Sequence, residues 1–185
     1  MLWHFKSFNY AKFSFLDEAT VRSALLWDEG AFYDTKAVER LAAHIAAHGI
    51  TYDSLSESDS ELLDQLILSI FSPEGIQSVL EVEPESPDGV HPTVIREMLK
   101  HGVDAKVLPW LLNGRTHNSQ SRSAVCNYII LTPEEVAQLF AECRSLLNRE
   151  VKWSQPYIPE TVRECLVEPL ESIHSKGKHA VGILG

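Results

Sequence analysis

Residues 133–147 carry the clearest periodic pattern in the chain. Val136, Leu139, Phe140, Cys143, Leu146 and Leu147 recur at three-and-four spacing, while Gln138, Glu142, Ser145 and Arg149 fall on the other side. Apolar positions recurring in this way predict a helix with one buried and one solvated face. Its start is equally explicit. Thr132 offers a capping hydroxyl, and Pro133 suits the first helical position, where its missing N–H costs nothing. Glu134 and Glu135 face the positive end of the helix dipole, and Glu135 completes a capping box with Thr132. The run before it, residues 124–131, is too apolar to alternate, which predicts a central strand covered on at least one face.

The same reading extends along the chain. Residues 1–8 set Trp3 and Phe5 against Leu2, His4, Lys6 and Phe8, the alternation of a first strand. Asp17 and Glu18 open a helix through about Trp27, with Val21, Ala24 and Leu25 inward, ended by Asp28, Glu29 and Gly30. A second helix spans 35–48 on Val38, Leu41, Ala42 and Ile45, with Gly49 placed for the left-handed conformation after it. Ser58, Asp59, Ser60 and Glu61 predict the start of a third, with Leu62, Leu63, Leu66, Ile67 and Ile70 inward. Ser72, Pro73 and Glu74 restart a shorter one through Leu80. Residues 81–89 hold four acids and two prolines and read as an exposed loop.

Helix signals return at 92–101, closed by Gly102, and at 104–112, where Pro109 shortens or kinks the turn. Residues 113–123 form a polar loop, and 151–158 a connector holding Trp153 and Tyr157. Pro159 and Glu160 open a last helix, which Pro169 breaks or bends and Gly177 stops, and residues 180–184 read as a closing strand. Together these elements predict an α+β fold. A small mixed or antiparallel sheet of N-terminal, central and C-terminal strands packs against six or more helices. The expected organisation is a single globular domain over residues 1–185, with an acidic helical portion at 50–112.

Charge sharpens this picture once it is located. The net charge is −10, but residues 1–49 hold six acids and five bases, residues 50–99 eleven acids and one base, and residues 100–185 nine acids and ten bases. The middle of the chain therefore carries the excess, and such a field repels nucleic acid and attracts basic surfaces. No run of eighteen apolar residues occurs, and the N-terminus lacks a signal-peptide pattern, so the expectation is a cytoplasmic protein without a membrane segment. Cys126, Cys143 and Cys165 are an odd set without a C-x-x-C pair, which predicts reduced thiols rather than a disulfide scaffold.

Candidate chemistry is sparse. His44 and His48 have the spacing of two metal ligands on one helix, but the Glu of an H-E-x-x-H pattern and an assignable third ligand are absent, so no metal is expected. No Gly-rich phosphate loop occurs, and no cofactor is expected. Glu134 and Glu135 are accounted for by capping, and Cys126 reads as a buried structural thiol. Arg115, His117 and Arg122 in the polar loop could hold an anion, with His117 as a general base, which is the basis of an alternative reading as a small hydrolase or transferase.

The run from Tyr128 to Val136, its helix to Leu147, a late helix and the closing Ala180-Val181-Gly182-Ile183 strand resemble the C-terminal halves of small bacterial α+β domains. Some of these look like immunity proteins that neutralise a toxin from the same locus. The resemblance covers about the last third of the chain and assigns no residue a role. It implies a non-catalytic binding protein, and the charge map supplies a surface for it. Asp53, Glu57, Asp59, Glu61 and Asp64, continued by Glu81, Glu83, Glu85 and Asp88, could imitate a phosphate track and dock a basic partner such as a nuclease toxin.

Overall fold

The computed structural model describes residues 2–25, 34–71, 76–85, 88–103, 107–113 and 127–184. The fold is α+β and helix-rich, with a four-stranded antiparallel sheet and nine α-helical segments among the described residues. The chain divides into two compact units: a sheet unit of residues 1–8, 83–115 and 125–185, and a helical unit of residues 9–82 and 116–124.

In the sheet unit, β1 (Trp3–Phe8), β2 (Glu83–Pro84), β3 (Asn127–Leu131) and β4 (His179–Leu184) lie in the order β2-β1-β4-β3. The predicted N-terminal and C-terminal strands are thus the inner pair, in register from Trp3↔Leu184 to Phe8↔His179. The strand expected at the centre, β3, lies at the end of that order and pairs with β4 alone among the described strands. The apolar run nonetheless has a physical reason: Ile129 and Leu131 point to one face, Tyr128 and Ile130 to the other, and all four are buried. Apolarity on both faces reports cover above and below a strand and is silent about its lateral position.

Trp3, Phe5, Ile129 and Leu131 share one core with the inner faces of α5 (Pro92–Lys100) and α7 (Pro133–Leu147) and with the late helices. The cap of α7 is the predicted one. Glu135 N–H donates to Thr132 Oγ1 at 3.3 Å, and Thr132 N–H donates to Glu135 Oε2 at 3.0 Å. Trp3 Nε1–H donates to the carbonyl of Leu111, in the short α6 (Trp110–Asn113). Helical geometry begins there at Trp110, and residues 107–109 form a turn, so Pro109 precedes the helix rather than kinking it.

The late helical run, expected to be broken or bent by Pro169, is not broken. It comprises α8 (Ile158–Val162), a π-helical turn (Arg163–Val167) and α9 (Glu168–Lys176). Pro169 has no N–H to donate, and the widened turn lets Glu168 N–H reach back to Arg163 O instead. The run then ends at Gly177 with φ +62°, the left-handed stop read from the sequence.

The helical unit contains α1 (Glu18–Leu25), α2 (Thr35–His48), α3 (Glu57–Leu68) and the short α4 (Ile76–Val79). Asp17 accepts from Thr20 N–H at 2.8 Å, and Gly49 takes φ +71° after α2. Val21, Val38, Leu41, Ile45, Leu63 and Leu66 are fully buried where α1, α2 and α3 pack together. The third helix begins earlier than expected, because Ser56 is its cap and accepts from Asp59 N–H at 3.1 Å. The expected ends at residues 26–30 and 72–75 lie outside the described residues. Asn9 N–H donates to Leu80 O at 2.8 Å, so the unit's entry and exit are tied together.

Gly182 sits between Phe5 on β1 and Ile129 on β3, its register partners. A Cβ there would lie 2.9 Å from Phe5 Cε1 and 3.0 Å from Ile129 Cγ2, so the two large side chains occupy the space a methyl group would need. Gly182→Ala is therefore expected to destabilise the protein by about 1–3 kcal/mol, seen as a lower denaturant midpoint at unchanged slope. An unchanged midpoint would show that the sheet gives way without cost.

Candidate functional site

The structure sorts the nine carboxylates of the predicted docking surface into two settings. Glu83, Glu85 and Asp88 belong to the sheet unit, and residues 83–84 are a strand rather than an exposed loop. Lys176 Nζ donates to Glu83 Oε2 and to Glu85 Oε1, both at 2.7 Å, and Lys178 Nζ donates to Glu83 Oε1 at 2.6 Å. Glu85 also accepts from Ser7 Oγ, and its side chain is only 3% exposed. The lysine hydrogen bonds, that of Lys176 foremost, hold the Glu83 carboxyl down at about 2, and the same pairing raises Lys176. Asp88 is exposed.

The other six belong to the helical unit, and three of them are committed internally. Asp59 is buried and accepts a two-pronged pair of bonds from Arg40, at 3.1 Å from Nε and 2.8 Å from Nη2, which holds its carboxyl below the usual range. Asp64 is buried and accepts from Tyr52 Oη. Glu81 accepts from Asn9 Nδ2 at 3.0 Å and lies 3.5 Å from Lys12 Nζ.

Asp53, Glu57 and Glu61 are different. All three are exposed, and among the described residues none forms an ion pair. Glu57 and Glu61 stand one turn apart on α3, where like-charge repulsion opposes the favourable placement of Glu57 in the first helical turn. Asp53 is in the preceding turn, beside Ser54, whose φ of +69° is uncommon for a residue with a side chain. The sequence of the helical unit holds thirteen acids against five Lys and Arg, a net of −8, compared with −2 for the sheet unit.

Arg115, His117, Arg122 and Cys126 lie outside the described residues. His44 and His48 do approach, with ring centroids 5.1 Å apart, but His44 Nε2 is engaged with Thr51 O at 2.9 Å. Among the described residues no group of three or more His, Cys, Asp or Glu side chains could hold a metal ion. Burial pushes the Cys143 thiol up to about 12 and also raises Cys165, the reverse of what a nucleophile needs. A depression along α1 is lined by Asp17, Glu18, Ala19, Arg22 and Ser23, but Asp17 caps that helix and Glu18 binds Arg22 at 2.7 Å. No described helix is long and apolar enough to cross a membrane.

One constellation was not expected from the sequence. Glu97 is buried on the inner side of α5, accepting from Ser154 N–H at 3.0 Å and Lys100 Nζ at 3.3 Å, with His101 Nε2 at 3.4 Å. A signal was available, since a glutamate directly beside Met98 and three residues after Val94 falls inside the apolar stripe of its helix.

Comparison of the chain with family models, curated proteins and solved structures finds no match.

The lysine clamp on β2 has a pH signature. Because the Glu83 carboxyl is depressed from 4.5 to about 2, its contribution to stability is present above about 4.5 and is lost as pH falls through about 2. Lys176→Met is expected to lower the thermal midpoint near neutral pH, and the gap from the parent protein to narrow as pH drops across that window. A gap independent of pH would assign the loss to packing of the lysine stem.

Proposed function

We propose that the protein is a non-catalytic binding protein that docks a basic protein partner through Asp53, Glu57 and Glu61. The observation that carries this reading is the concentration of uncompensated negative charge on the helical unit, at the start of α3. Elsewhere in the same unit Arg40 and Lys12 pair with Asp59 and Glu81, and Tyr52 and Asn9 donate hydrogen bonds to Asp64 and Glu81. At the start of α3, Glu57 sits in the first helical turn, where the dipole favours an acid, but among the described residues neither it nor Glu61 forms an ion pair. Exposed carboxylates of this kind steer a cationic partner during diffusion and set its orientation on arrival.

The resemblance of residues 128–147 and 180–183 to bacterial immunity-like domains supports a more specific form of the proposal. In that form the partner is a basic toxin such as a nuclease, whose nucleic-acid-binding surface is cationic and would accept carboxylates in place of phosphates. The docking set is then narrower than the sequence implied. Asp59, Asp64, Glu81, Glu83 and Glu85 hold their own unit together, whereas Asp53, Glu57 and Glu61 meet the partner.

The test uses the whole protein as bait in a lysate of its native cell, with washes at low and high salt. Recovery of a basic protein that leaves as salt rises from about 0.05 to about 0.5 M is expected. Combining Glu57→Lys with Glu61→Lys is expected to weaken that partner by about tenfold or more, chiefly through the association rate, while Glu164→Lys on the sheet unit changes it by less than about threefold. Unchanged affinity in the double variant, or no basic protein at low salt, would remove the proposal.

A further inference from the structure

We propose that His44 and His48, at the C-terminal end of α2, form a binding site for Zn²⁺. The two residues stand four apart on the helix, the spacing that brings both side chains to one face. Their ring centroids are 5.1 Å apart. Two imidazoles bound to one ion at metal–nitrogen distances of about 2.1 Å have centroids about 4.6 Å apart at a right angle and about 5.3 Å apart at a tetrahedral one. The pair therefore already stands near the separation that a tetrahedral ion requires. Imidazole suits late transition ions rather than Mg²⁺ or Ca²⁺, and the near-tetrahedral separation selects Zn²⁺ among them.

The bond that occupies one nitrogen of His44 prepares the other. Thr51 O is a carbonyl and only accepts, so His44 Nε2 carries the proton in their 2.9 Å hydrogen bond. In the neutral ring this leaves the lone pair on Nδ1. A backbone carbonyl thus fixes the tautomer and steadies the ring, the support that metal-bound histidines generally receive from their second nitrogen. His48 is exposed, and among the described residues no hydrogen bond engages its ring. Asp59 interacts with His44 through its charge but is committed to both prongs of Arg40, and no third His, Cys, Asp or Glu joins the pair among the described residues. Two positions of the ion are then left to water, which makes the site an open one. The net negative charge of the helical unit favours a cation there.

The test is a calorimetric titration of the whole protein with Zn²⁺ alone at about pH 7.5, because ligating histidines must be neutral. His44→Gln keeps an amide that can donate to Thr51 O, and His48→Ala places a strong helix former at an exposed position, so both variants should fold. Each is expected to weaken Zn²⁺ by about tenfold or more, through loss of the chelate. His174→Ala, at an exposed position on α9 of the sheet unit, should leave the affinity within about threefold of the parent. Zn²⁺ should also raise the thermal midpoint of the parent protein, since the unfolded chain does not hold the two rings together, and raise it by less in His44→Gln and His48→Ala. An affinity that either of these variants retains would place the ion elsewhere and overturn the proposal. A parent midpoint that Zn²⁺ does not move would overturn it as well.

Discussion

The antiparallel pairing of β1 with β4 is the constraint on which the sheet unit depends. It joins residues 3–8 to residues 179–184 across almost the whole chain and makes them the two inner strands. Every other part of the sheet attaches to this pair. Residues 83–84 add to β1 over two positions, and β3 adds to β4 over five. The register works only because position 182 has no side chain, so that Phe5 and Ile129 can meet over β4. It also puts Lys178 and Lys176, immediately before β4, at the end of β1 where Glu83 and Glu85 arrive. The clamp of lysines on glutamates is thus a consequence of strand register rather than of any local pattern.

A second consequence of this topology is where the helical unit enters the chain. It leaves after β1 and returns at β2, and its own ends are joined by the Asn9 to Leu80 hydrogen bond. Such an arrangement lets one segment differ sharply in charge from the chain around it. The helical unit bears most of the net negative charge, and within it the carboxylates divide by geometry. Those reached by Arg40, Tyr52 or Asn9 act in folding, and those at the start of α3 have no such partner among the described residues. The proposed docking role rests on that division.

Much of the local structure was legible because its causes are local. The Thr132 cap, Pro133, the stripe from Val136 to Leu146 and the stops at Gly102 and Gly177 each involve neighbours within a few residues and appear as read, while Gly49 stops α2 with a positive φ but an extended ψ rather than the left-handed helical one. Where one local signal competed with another the reading slipped. Ser56 took the cap expected at Ser58, and of the break or bend expected at Pro169 the break did not occur, a π-turn preceding the proline instead. The candidate surface was legible as composition but not as a site. Acidic residues at 81–85 and 53–64 look alike in the chain, and nothing nearby reveals that Lys176 or Arg40 will neutralise some of them.

By itself, then, the sequence determined the helices, their caps and inward faces, the existence of three principal strands and the location of the acidic excess. Those depend on side-chain periodicity, backbone preference and charge, which are properties of short segments. Only the tertiary structure decided that the terminal strands are central and β3 is not, that Gly182 is a packing requirement, and that Glu97 is a buried bridge to Ser154. It also decided which carboxylates remain available. Each of these depends on partners tens of residues away, brought together by strand pairing and core burial, and no short window of sequence contains both members of such a pair.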